Sequence, residues 1–131
     1  MGVLAGVIIG GMVNLGIIKY GMMMIPPPEG VDVMDVDSIK ENMHLYQYKH
    51  FITPFLAHAL GTLVGAFIAA KIAGIHQLRI GLFIGAFFLI GGVMMVMSLP
   101  APMWFNVLDL VGAYLPMGWL GAKLASNNVA A

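Results

Sequence analysis

Apolar residues run through this chain in four long blocks, roughly Val3 to Met24, Phe51 to Ala73, Ile80 to Leu99 and Met103 to Ala125, separated by polar or proline-rich stretches. Crossing a hydrocarbon layer of about 30 Å at about 1.5 Å per residue takes about 20 apolar residues, so each block suffices for one transmembrane helix. Inside lipid a helix satisfies its own backbone hydrogen bonds, whereas an open strand leaves them bare. The pattern predicts an all-α membrane fold, a four-transmembrane-helix bundle that forms a single domain over residues 1–131. The third block carries no charge, while the first contains Asn14 and Lys19 and the fourth contains Asp109.

The connections differ in kind. Blocks two and three are joined near Gly74, and blocks three and four by Pro100-Ala101-Pro102, so both pairs are expected to lie antiparallel. Segment 25–50 is longer, opening with Ile25-Pro26-Pro27-Pro28, which stops the first helix. Ser38-Ile39-Lys40-Glu41 then has capping-box spacing, and Met43, Leu45 and Tyr46 follow at helical intervals. A short interfacial helix is expected from Ser38 to about Lys49, with Tyr46, Tyr48 and Phe51 as aromatic anchors at the headgroup level. The acidic stretch Asp32 to Asp37 lacks the glycine and terminal glutamate of a calcium loop, so it reads as a solvated loop and no metal is expected.

Charge orients the bundle. Lys71, Arg79 and Lys123 fall on one side, and the positive-inside rule makes that side cytoplasmic, with both termini there too. Lys40 and Lys49 on the opposite side make the bias slight. The Val3 block has neither the basic start nor the cleavage site of a secretory signal and reads as a retained span. Gly6 stands where a myristoylation motif needs Ser or Thr.

Composition agrees with a lipid solvent: 60% hydrophobic, 9% charged, mean hydropathy +0.93. With six basic and six acidic residues the chain carries no polybasic face, so the bilayer is the expected partner and nucleic acid is not. Cysteine is absent, which removes disulfides and thiolate chemistry. No phosphate loop, nucleophile elbow or His-Glu-x-x-His motif occurs, and only His58 of the four histidines falls inside a predicted span. Neither an enzyme nor a cofactor is expected.

Small residues recur at four-residue spacing: Gly2, Gly6 and Gly10, then Gly61 and Gly65, then Gly81 and Gly85. Such faces let helix backbones approach closely, within one chain or between copies. The second and fourth blocks also share wording, Leu63-Val64-Gly65-Ala66-Phe67 against Leu110-Val111-Gly112-Ala113-Tyr114, and Ala70-Lys71-Ile72-Ala73 against Ala122-Lys123-Leu124-Ala125. A weaker echo joins the first and third blocks. A parallel repeat of two hairpins, with an insertion around Pro116, would produce this.

The stretches Ile25 to Gly30, Phe51 to Gly61 and Trp104 to Asp109 resemble those of small, uncharacterised four-span bacterial membrane proteins. That resemblance covers most of the chain and implies a bacterial inner membrane location, but it carries no activity or site residue across.

Chemistry is therefore sought among polar groups within the spans. Lys19, His58 and Asp109 each lie six or seven residues inside the outer boundary, at about 9 to 10 Å depth. Asn106 lies one turn above Asp109 and Thr62 one turn below His58. A buried carboxylate costs at least about 2.5 to 3.5 kcal/mol on insertion scales, so Asp109 is expected to pair with Lys19 or His58. Two functions follow. The favoured one is a structural or interaction subunit that forms a homo-oligomer, or joins a membrane complex, through its glycine faces. The alternative is a transporter or channel unit for a proton, cation or small solute at the Asp/His/Lys cluster.

Overall fold

The computed structural model describes residues 1–127, all helix and connection with no strand among them. The described residues form six α-helices: α1 (Gly2–Gly21), α2 (Val36–Glu41), α3 (Ile52–Ala73), α4 (Gln77–Ser98), α5 (Met103–Gly112) and α6 (Leu115–Asn127). Three stretches are long and apolar enough to cross a membrane: α1, α3 with the turn that leads into it, and α4. Their limits lie within three residues of those expected from the apolar blocks.

The fourth block departs from expectation. Instead of one helix it forms two, α5 and α6, separated at Ala113 and Tyr114. Pro116 explains the break, because it has no N–H and its ring would strike the carbonyl of Gly112 in a continuous helix. Pro54 does no such harm, since it sits in the first turn of α3 where that N–H has no helical acceptor. Gly74 closes α3 in the left-handed region at φ 70°, reversing the chain into α4 within three residues.

The segment between α1 and α3 is also more broken than expected. Rather than one helix from Ser38 it contains α2 and two separate 3-10 turns, Met43–Leu45 and Tyr48–Phe51. Asp35, not Ser38, caps α2, its carboxylate accepting from the Asp37 N–H at 3.0 Å. The Ser38 hydroxyl instead accepts from the Asp32 N–H at 2.9 Å. Asn42 then ends the helix by donating its amide to the Ser38 carbonyl, the competition that makes Asn a poor interior residue. The capping box lies further on, where Gln47 and His50 exchange hydrogen bonds. Aromatic contacts fasten this segment to α5: Tyr48 and Phe51 both lie against Trp104, and Phe51 against Phe105 at 4.7 Å between ring centres.

Helix α3 occupies the centre, with α1 against one side, α6 against another and α4 completing the bundle. Glycine sets these distances. A Cβ on Gly6 would come within 2.5 Å of the Gly65 carbonyl oxygen, and one on Gly10 within 2.7 Å of the Gly61 oxygen. Gly2 meets the Ala69 carbonyl in the same way. On α4, Cβ atoms at Gly81 and Gly85 would strike the carbonyls of Gly118 and Tyr114 on the α6 side. Within the chain, all seven of these glycines lie against a neighbouring helix. Buried Ala66, Ala69 and Ile84 fill the space between α3 and α4, with Val3, Val7, Ile80 and Phe88 around them.

Both hairpins hold a glycine contact of one kind, at positions that the repeated wording does not align, since it sets Gly65 against Gly112 and not Gly118. Gly65 lies against the Gly6 oxygen and Gly10 Cα, and Gly118 lies in the same manner against the Gly81 oxygen and Gly85 Cα. The insertion that separates the repeated wording falls at the α5 to α6 break.

Replacing Gly65 or Gly85 by Leu forces backbones apart, and overpacking of this kind costs about 1 to 3 kcal/mol or more. Gly16 has nothing within 4 Å of an added Cβ and is the control. In thermal denaturation followed in detergent, both seam variants should melt well below wild type and Gly16→Leu should not.

Candidate functional site

Asp109 lies in the last turn of α5, almost fully buried with 4% of its side chain exposed. Its Oδ1 is 2.8 Å from His58 Nδ1 on α3, and its Oδ2 accepts from the Tyr114 hydroxyl at 3.2 Å. The Tyr114 ring stacks on the His58 ring, centres 5.7 Å apart and planes inclined by 26°. Three side chains from two helices and a break thus form one closed unit. The small residues Ala57 and Ala59 flank His58 on α3, and Gly92 on α4 leaves the room that the Tyr114 ring fills.

Of the cluster expected at this level, the structure brings together His58 and Asp109 and places Thr62, 1% exposed, one turn below. Lys19 is not part of it. Its ammonium lies 5.6 Å from the Tyr20 ring centre on the outside of the bundle, because a long flexible side chain reaches polar surroundings that a carboxylate at the same level cannot. Asn106 does not meet Asp109 either, since its amide donates to the Ala101 carbonyl at 3.3 Å. Tyr114 went unnoticed in the sequence. The signal for it was in the repeat, where it stands opposite Phe67 and so adds a hydroxyl that its counterpart lacks.

Two cavities meet at this unit. The upper one, about 180 Å³, lies under segment 25–51 and is lined by apolar residues such as Met22, Ile39 and Met43, with Tyr46, Asn106, His58 and Asp109 supplying polar atoms. Burial raises the Tyr46 phenol above its ordinary range, so it faces this space uncharged. The lower cavity, about 360 Å³, has walls from α1 and α4 and a floor of α3 and Tyr114. His58, Gly92 and Met95 belong to both. No buried side-chain nitrogen or oxygen among the described residues lacks a hydrogen-bond partner. His58 Nε2 has no protein partner, and with 21% of its side chain exposed it is the atom that remains reachable.

No protein family model, curated protein or solved structure matches the chain.

Asp109→Leu leaves both His58 Nδ1 and the Tyr114 hydroxyl without their shared acceptor, a change that typically costs about 3 to 5 kcal/mol for a buried pair. Asp109→Asn retains an acceptor and the side-chain shape. Unfolding in a detergent series should rank the proteins wild type, then Asn, then Leu with a clear gap; equal stability of the Leu variant would mean the unit contributes nothing to folding.

Proposed function

We propose that the chain is an integral membrane protein that crosses the bilayer four times, α5 and α6 together forming the fourth crossing, and that His58, Asp109 and Tyr114 bind a proton or small solute. The observation that carries this reading is the position of His58 in the walls of both cavities, with one ring nitrogen held by a carboxylate and the other open. An imidazole is the side chain best suited to gain and lose a proton near neutrality, and an ionisable group within a span is a functional site by default. Asp109 and Tyr114 hold the ring in place, and the two cavities give it access from above and from the side.

In this reading the end that carries Gly74, Arg79 and both termini is cytoplasmic, and α2 with its neighbouring 3-10 turns lies at the outer interface. Tyr46, Tyr48 and Trp104 supply headgroup-level aromatics there. A bacterial inner membrane is the membrane proposed for the chain.

A second reading has its own support, since the hydrogen bonds of Asp109 are fully satisfied within the chain, as a purely architectural unit requires. The protein would then be a structural subunit of a larger membrane assembly. The two readings separate in liposomes that enclose a pH-sensitive dye. A proton or solute site predicts that the wild-type protein dissipates an imposed pH gradient, or does so when a solute is supplied, and that His58→Asn reduces this at least about tenfold. An architectural unit predicts no flux from wild type at all.

The orientation has a separate check. A cysteine-labelling experiment on intact cells should find Glu29→Cys accessible from outside and Ile75→Cys accessible only after the membrane is opened; the reverse pattern would invert the topology.

A further inference from the structure

The lower cavity differs from the upper one in how it is reached. Its walls are α1, through Gly10, Gly11 and Asn14, and α4, through Phe88, Gly91 and Met94. These two helices barely touch each other, each being held by a different partner, α1 by α3 and α4 by α6. Gly91 is exposed, Met94 is 62% exposed, and neither Gly11 nor Gly91 has any atom within 4 Å of an added Cβ. Bare backbone on both sides leaves a flat slot that opens sideways, toward lipid in the four-span reading, rather than toward water.

The slot has a defined polar end. A carboxylate can only accept, so when the His58 ring is neutral beside an ionised Asp109 its proton sits on Nδ1 and Nε2 is left as an acceptor. Asn14, whose Cβ lies over Gly61, makes no side-chain hydrogen bond within the chain, and its carboxamide offers a donor and an acceptor to the same space. Neither cavity is lined by Lys or Arg, and Asp109 stands behind the ring, so an anionic headgroup finds repulsion and no counter-ion. A cationic head fares no better, because both Asp109 oxygens are engaged by His58 and Tyr114.

We infer that this slot binds a lipid-soluble phenol or quinol, which enters sideways between α1 and α4, donates its hydroxyl to His58 Nε2 and lays its ring between the glycine-bare walls. Asn14 meets a second oxygen on the ring, and Phe88 and Met95 contact its faces and edge. The inference rests on the four-span reading for the direction of entry and names the solute class of the site proposed above.

The test uses the full chain labelled with nitrogen-15 at histidine, in phosphatidylcholine nanodiscs, with His58 assigned from the His58→Gln variant. Three probes of equal tail length are titrated: para-octylphenol, its methyl ether para-octylanisole, and octyl phosphate. The expected result is a saturable shift of the His58 Nε2 resonance with the phenol, an apparent affinity for the ether at least about tenfold weaker, and no saturable shift with the phosphate. Gly91→Leu should fill the slot and abolish the phenol response, while its Nδ1 resonance shows that the contact to Asp109 persists. Equal binding of phenol and ether, preference for the phosphate, or an unshifted His58 would overturn the inference, as would full phenol binding to Gly91→Leu. The liposome assay keeps the two proposals apart. Flux without phenol binding removes the inference and leaves the proton site, whereas phenol binding without flux keeps the inference and its binding site and removes transport.

Discussion

Direct contact between helix backbones is the constraint on which this molecule depends. Where Gly6 meets Gly65 and Gly81 meets Gly118, only the methyls of Ala69 and Ala122 share the contact, so the separation of the helices is set by main-chain atoms. In the four-span reading the surroundings are lipid, where apolar helices gain little hydrophobic energy by coming together and close packing of this kind is what remains to favour association. The polar site depends on the same economy of volume. Gly61 lets the Asn14 side chain lie against α3, and Gly92 makes way for the Tyr114 ring, so the cavity and its hydrogen bonds both exist because two positions lack a Cβ.

The break between α5 and α6 gives the site its third member. In an unbroken helix Tyr114, five residues after Asp109, would project from a different part of the helix surface. With the helix ended at Gly112 and restarted at Leu115, its hydroxyl turns back onto the Asp109 carboxylate. The same break supplies the Tyr114 carbonyl that Gly85 packs against. Pro116 therefore acts on both the shape of the bundle and the chemistry of its centre.

The apolar blocks made the long helices readable in the sequence, because their hydrophobicity is a property of each segment alone. Matched depth brought His58 and Asp109 to one level, and glycine spacing marked the faces that pack. What could not be read depended on relations between segments. Whether Gly2 or Gly81 faced its own chain was hidden because spacing is the same for either partner. Depth alone groups Lys19 with the cluster, although its length lets it leave the level at which its Cα sits. Around Ser38 the capping signals of Asp35, Ser38 and Gln47 compete within a few residues, and which one wins depends on hydrogen bonds made by Asp32 and His50. Pro116 was noted as an insertion point, yet its consequence for Tyr114 appears only in three dimensions.

A seam made of glycines fixes how far apart two helices stand but says little about how they are aligned along their length. Gly2, Gly6 and Gly10 repeat every four residues, so a slide of α1 by one repeat, about 6 Å, would present nearly the same surface to α3. The alignment must be held by residues that break this periodicity. Asn14, which sits over Gly61, is one, and the close contact of Gly21 with the Thr53 side chain at the far end is another. These two contacts act as pins in an otherwise sliding joint. Asn14 is thus part of the wall of the lower cavity and also part of what keeps that wall in register.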